Sequence, residues 1–170
     1  MSRTNKKIPY GFHCIDDSDI QAVLDVLKNG AITQGQNVED FGQELADFSG
    51  AKYGVAVSSG TAALHISVAA LGIGPGDEVI TTPMTFCATS NAALYQGADV
   101  KFVDIDENTL NIDPSLIEAK ITKHTKAIMP VDFRGHPANL PEIRQIADRH
   151  NLKIIEDGSH PKNSETYQAQ

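Results

Sequence analysis

From Tyr53 onward the chain alternates short β-branched runs with longer helix-forming runs, and few soluble architectures accept that order. The strand candidates are Tyr53–Val57, Glu78–Thr82, Val100–Ile105, Ala127–Val131 and Leu152–Glu156. Between and beside them fall helix candidates at Thr61–Leu71, Thr85–Gln96, Pro114–Thr122 and Leu140–His150. Asn139 and Pro141 stand where an N-cap and a first-turn proline belong. Repeated β-α units predict an α/β domain with a mainly parallel sheet and right-handed crossovers.

Before this alternation the pattern is helical. Pro9 biases Ile8 away from the helical region, so Ile8-Pro9-Tyr10-Gly11 reads as an extended or turn segment. Asp16, Asp17 and Ser18 offer caps for a helix with Ile20, Val23, Leu24 and Leu27 on one face, stopping at Gly30. After a loop holding Thr33-Gln34-Gly35, a second amphipathic helix sets Val38, Phe41, Leu45 and Phe48 on a buried stripe, with Gly50 past its end. The expected organisation is an N-terminal helical segment over 1–50, an α/β domain over 51–160 and a polar tail over 161–170.

Composition removes several classes. A length of 170 residues fits one domain able to bury roughly two-thirds of its unfolded surface. The net charge of −8, with no Lys/Arg cluster, argues against nucleic acid or an anionic membrane as partner. Cys14 and Cys87 are far apart, and no spacing suggests a zinc site or a disulfide framework. Met1 to Lys7 is polar and lacks the apolar run of a secretion signal. The longest apolar window, Val55 to Gly74, is broken by Ser, Gly, Thr and His, so no membrane span is expected and the cytoplasm is the default location.

Three corners carry the chemistry. At Ser58-Ser59-Gly60-Thr61-Ala62 a strand candidate runs into a tight turn and a helix begins. The first amides of a helix lack intrahelical partners and sit at the positive end of its dipole. Gly60 lets an anion approach the backbone, and Ser59 and Thr61 add hydroxyls, so the turn can seat a phosphate; an N-cap with no ligand is the plainer reading. The second corner, Thr82 to Thr89, presents Phe86 near the start of its helix, where a ring can stack on a flat cofactor or fill the core. The third, Glu156-Asp157-Gly158-Ser159-His160, ends a strand in a carboxylate at the same edge of the sheet. A buried carboxylate facing a ring nitrogen keeps that nitrogen protonated, as a pyridinium electron sink requires. A turn cap at Asp157 and a surface His160 are the alternatives. Gly72-Ile73-Gly74-Pro75-Gly76-Asp77 is not a dinucleotide fingerprint: Asp77 holds the sixth place, and a helix precedes it while a strand follows. A phosphate seat, an aromatic plate and an acid together fit pyridoxal phosphate.

With these residues in hand, the chain resembles the N-terminal part of the DegT/DnrJ/EryC1/StrS sugar aminotransferases, members of the fold-type I pyridoxal-phosphate enzymes. The matching stretches are Ile8-Pro9-Tyr10-Gly11, Thr33-Gln34-Gly35, Ser59 to His65, Pro75 to Ile80, Thr85-Phe86, Val103-Asp104-Ile105-Asp106 and Glu156 to His160. Val131-Asp132-Phe133 with Gly135 looks most like the branch that makes UDP-4-amino-4,6-dideoxy-N-acetyl-altrosamine for pseudaminic acid. The resemblance implies a three-layer α/β/α large domain, truncated before its last strands. It implies that Ser59, Gly60, Thr61 and Ala62 hold the cofactor phosphate, Phe86 stacks on the ring, Asp157 pairs with the pyridine nitrogen and His160 contacts the ring hydroxyl. Tyr10, Thr33, Gln34 and Gly35 would lie near a sugar nucleotide. The implied reaction moves an amino group from glutamate to the C4 keto group of a UDP-linked 6-deoxy sugar, in a ping-pong cycle on a homodimer.

The same resemblance implies that the Schiff-base lysine falls beyond residue 170. Lys162 lies in the wrong place, and Pro161-Lys162-Asn163-Ser164 departs from the small residues and glycine of the family. The expectation is a fragment of a longer enzyme, inactive by itself. With two later strands missing beside Tyr53–Val57, it is also expected to be unstable or aggregation-prone. A pyridoxal-phosphate sugar dehydratase and an inactive α/β binding module are the competing readings.

Overall fold

The computed structural model describes residues 13–159. The chain divides into two compact units, with the boundary between Ala56 and Val57.

The first unit holds α1 (Asp17–Asn29) and α2 (Gln36–Ser49). Helix α1 starts on a reciprocal cap: Asp16 accepts from the Ser18 and Asp19 amides, and Asp19 accepts from the Asp16 amide. Helix α2 ends at Gly50 in the left-handed region, φ 68°, where glycine has no Cβ penalty. Both helices lie where the apolar period puts them, but the buried stripe expected for α2 is not buried. Val38, Phe41, Leu45 and Phe48 are all exposed, and α1 buries no residue at all. What α2 buries is Gly42 and Ala46. A Cβ on Gly42 would stand 2.9 Å from the Gly54 carbonyl oxygen, and one on Gly54 only 2.0 Å from the Gly42 carbonyl oxygen. The helix thus packs backbone to backbone on the 53–56 segment, and the large apolar side chains fall outside that contact.

Tyr53–Val57, expected as a buried strand, joins no sheet. Tyr53 and Val55 are 75% and 72% exposed. A β-branched run favours extended backbone but becomes a strand only beside a partner, and the described residues supply none.

In the second unit, α3 (Gly60–Ala70), β1 (Glu78–Thr81), α4 (Ala88–Tyr95), β2 (Asp99–Phe102), β3 (Thr125–Ile128), α5 (Leu140–His150) and β4 (Lys153–Ile154) build an α/β fold. The four strands pair in parallel in the order β2-β1-β3-β4. Central β1 is buried along its whole length, as a strand covered on both faces must be. One core cluster joins Leu64 and Val68 of α3 and Ala92 and Ala93 of α4 to Val79 and Ala127. A second joins Ile143, Ile146 and Ala147 of α5 to Ile80 and Ile128. Successive side chains of a strand point to opposite faces, so Val79 and Ile80 serve one cluster each.

Several bounds are corrected. The segment Pro114–Thr122 is not one helix but two 3-10 turns, Pro114–Leu116 and Glu118–Lys120. Asp113 caps the first through the Ser115 amide, and Ile121 turns extended and ends the second. Helix α4 begins at Ala88 rather than Thr85. Strands β2 and β4 are shorter than the runs that carry them, although parallel-ladder bonds continue past both, from the Val103 amide to the Thr81 carbonyl and from the Ile155 amide to the Ile128 carbonyl; Ile105 bridges Ile112 outside the sheet. Asn139 caps α5 through the Glu142 amide, with Pro141 in the first turn, as the sequence predicts.

Candidate active site at the carboxyl edge of the sheet

All four strands run the same way, so the segments after β1, β3 and β4 emerge at one edge. Asp157 lies there, bridged in parallel to Val131, its amide donating to the Pro130 carbonyl and its carbonyl accepting from the Asp132 amide. These backbone bonds hold a carboxylate that is 5% exposed.

Both carboxylate oxygens accept hydrogen bonds. Thr89 Oγ1 donates to Oδ2 at 2.6 Å, and Oδ1 accepts from Ser159 Oγ at 2.5 Å and from the Ser159 amide at 3.2 Å. Thr89 belongs to α4, which the segment after β1 enters, so the Thr82–Cys87 corner is tied to Asp157 through that hydroxyl. Phe86, on the same corner, exposes 72% of its surface. The core alternative for this ring is therefore wrong: it is free to lie against a ligand.

The turn Ser59-Gly60-Thr61 reaches the same place. A Cβ on Gly60 would stand 3.1 Å from Ser159 Oγ, so the glycine leaves room where the Asp157 loop meets the start of α3. Ser59 caps α3 by accepting from the Ala62 amide at 3.1 Å. The Ala63 amide is the first to bond within the helix, to the Ser59 carbonyl, whereas the Gly60 and Thr61 amides come before it and have no intrahelical acceptor. Ser59 is thus the helix cap of the plainer reading, and it leaves two amides and the Thr61 hydroxyl for an anion.

Thr61, Phe86 and Asp157 are brought to one edge, with Ser59, Gly60 and Ala62 beside Thr61. Thr33, Gln34 and Gly35 belong to the first unit, exposed in the loop before α2. Tyr10 and His160 lie outside the described residues. Thr85, Thr89 and Ser159 were given no role by the sequence. The signal for the first pair was present in the i, i+4 spacing of two threonines at a strand-to-helix corner. Their target, 68 positions away from Thr89, was not.

The edge also carries a strained loop. Arg134 has φ 55° and Gly135 φ 79°, and Asn111 holds the loop by accepting from the Phe133 amide and donating to the His136 carbonyl. The Arg134 guanidinium lies 5.3 Å from the centre of the Phe133 ring.

An α/β sheet with an anion-ready helix start, an open aromatic ring and a buried acid at one edge defines a class of cofactor-binding enzyme folds. The chain belongs to the DegT/DnrJ/EryC1/StrS aminotransferase family, whose profile matches residues 13–169. It is 46% identical over 160 residues to the spore coat polysaccharide biosynthesis protein SpsC of Bacillus subtilis, a match covering 94% of this chain and 41% of that protein. Among solved structures it resembles NtdA of Bacillus subtilis with bound cofactor PMP (42% identity, TM-score 0.79, 84% of this chain and 34% of that one). It also resembles a GDP-4-keto-6-deoxymannose-3-dehydratase with a trapped PLP-glutamate geminal diamine (35% identity, TM-score 0.83, 89% and 41%). The chain spans about two-fifths of the length of the curated relatives it matches. No helix among the described residues is long and apolar enough to cross a membrane.

Proposed function

We propose that the chain forms the pyridoxal-phosphate seat of a nucleotide-sugar aminotransferase working in the cytoplasm. The amino group would pass from glutamate to the C4 keto group of a UDP-4-keto-6-deoxy-N-acetyl-hexosamine, for pseudaminic acid or a related surface glycan. One observation carries the cofactor reading. The buried carboxylate of Asp157 shares an edge with the Gly60 turn, which its loop approaches through Ser159, and with the open ring of Phe86, reached through Thr89. When bound, pyridoxal phosphate supplies an electron sink for the amine carbon.

The chain's own part is to bind and orient. The Gly60 and Thr61 amides and the Thr61 hydroxyl hold the phosphate, and Ala62 lies in the same turn. Phe86 covers one face of the ring. Asp157 keeps the proton on the ring nitrogen, since an anion held out of bulk water stabilises the cation it faces. Thr33, Gln34 and Gly35, with Tyr10, would contact the sugar nucleotide, His160 the ring hydroxyl, and a second copy would complete a homodimer.

The complete gene product, given pyridoxal phosphate, glutamate and the keto sugar nucleotide, is expected to form 2-oxoglutarate and an amino sugar in equal amounts, and Asp157→Asn to slow both by 100-fold or more. Absence of any cofactor absorption change with the wild-type product contradicts the reading. The similarity to the 3-dehydratase supports a second one. Loss of the sugar's C3 hydroxyl without a stable amino sugar would select it.

A further inference from the structure

The carboxylate of Asp157 is gripped from two sides by hydroxyls that differ in kind. Thr89 is 1% exposed, and its Oγ1 lies 2.6 Å from Asp157 Oδ2, 2.7 Å from Thr85 Oγ1 and 3.1 Å from the Phe86 carbonyl oxygen. A threonine hydroxyl has one proton to give. The short bond to an ionised oxygen takes it in preference to the longer bond to a carbonyl. Thr89 therefore has none for Thr85, and Thr85 must be the donor in that pair. The chain of hydroxyls runs one way, from Thr85 to Thr89 to Asp157.

Ser159 grips the other oxygen from an exposed position beside Gly60, and nothing described fixes its hydroxyl except Asp157 itself. Two hydroxyls on opposite oxygens, one backed by a second, half-buried hydroxyl and one free to turn beside its own amide on Oδ1, make an asymmetric clamp.

We infer that Thr85 and Thr89 are positioning residues that fix the Asp157 carboxylate through Oδ2, while Ser159 gives way at Oδ1 to the ring N–H of a heteroaromatic cation. This rests on the cofactor reading above and adds to it the device that aims the acid. Removing the Thr89 hydroxyl lets the carboxylate rotate, and a ring nitrogen then meets an acceptor held at the wrong angle. The phosphate end of the same ligand does not depend on Thr89.

The test compares two ligands in the complete gene product: pyridoxamine phosphate, and its 1-deaza analogue with CH in place of the ring nitrogen. Thr89→Val keeps the side-chain shape and removes the hydroxyl, as donor to Asp157 and as acceptor from Thr85. It is expected to weaken pyridoxamine phosphate at least tenfold by calorimetric titration while changing the analogue's affinity less than twofold. Thr89→Ser restores the first affinity to within threefold, and Thr85→Val weakens it by a smaller factor. Equal weakening of both ligands would mean that Thr89 only supports the fold, and unchanged binding of pyridoxamine phosphate would mean that it does nothing for Asp157; either overturns the inference. Should Thr89→Val fail to fold, Thr85→Val with the same two ligands decides. Failure of the wild-type product to bind pyridoxamine phosphate removes the cofactor reading itself, a result distinct from any of these.

Discussion

The two units of this chain obey the same helix rules and reach opposite ends. In α5, the amphipathic period sets Ile143, Ile146 and Ala147 against β3 and β4, and all three are buried. In α1, an equally regular set of Ile20, Val23, Leu24 and Leu27 forms its helix with a full N-terminal capping box and buries none of them. Local rules make the helix in both cases. Burial requires something to pack against, and that is a property of the rest of the molecule. Among the described residues, the sheet unit holds a closed core, whereas the helical unit holds a tight backbone contact and an exposed apolar face.

The comparison can be broken most directly by mutating one side of it at a time. Ile80→Ala, at the middle of the sheet and fully buried, is expected to cost about 3 kcal/mol by urea denaturation, from lost transfer energy and the cavity left behind. Leu27→Ala, on the open face of α1, should stay within about 0.5 kcal/mol. Comparable costs would show that the α1 face is covered in solution.

Within the helical unit, Gly54→Ala is the sharpest probe. Its Cβ would press into the Gly42 carbonyl, so the helix and the 53–56 segment must separate, costing about 2 kcal/mol. Limited proteolysis should then cut the first unit faster and leave the sheet unit at its wild-type rate.

The sheet unit also carries an acid dependence at the edge opposite the site. The Thr122 hydroxyl donates to Glu78 Oε2 at 2.6 Å, and Lys101 lies 3.3 Å from Oε1. The first bond most of all, and the lysine after it, hold the Glu78 carboxyl below its ordinary value of 4.5. A lowered folded value means that this contribution is complete above the unfolded value and fades as pH falls through the folded one. Thermal melts of the wild type should lose stability below pH 4.5, and Thr122→Val should flatten that loss. An unchanged acid limb in Thr122→Val would show that Glu78 is not its source.

An effect as small as that of Leu27→Ala belongs to Arg134. Glycine relieves its left-handed backbone but adds freedom to the unfolded chain, so Arg134→Gly should move stability by no more than about 0.5 kcal/mol in thermal melts. A larger gain would mark the loop as strained beyond its backbone angle.

What could be read from the sequence follows the same division. The buried run at Glu78–Thr81, the Asn139 cap with Pro141 and the Ser59-Gly60-Thr61 helix start were all legible, because propensity, capping and dipole act within a few residues. The β-branched run at Tyr53–Val57 misled because strand formation needs a neighbour. The stripe of α2 misled because the contact that forms runs through two glycines, Gly42 and Gly54, and glycines carry no hydrophobic signal. Asp157 and Phe86 could be picked out as residue types at strand ends. The hydroxyls that grip Asp157 could not, since the bond from Thr89 exists only after the fold has closed over 68 positions.

The central claim is that three corners of the sheet unit form one cofactor seat. Adding pyridoxamine phosphate to the isotope-labelled complete gene product and following its amide resonances tests that claim most directly. The account predicts that Gly60, Thr61, Phe86 and Asp157 shift together and saturate at one ligand per chain. Saturable shifts confined elsewhere, such as the groove lined by Leu71, Arg144, Asp148 and Lys153, with those four amides unmoved, would contradict it.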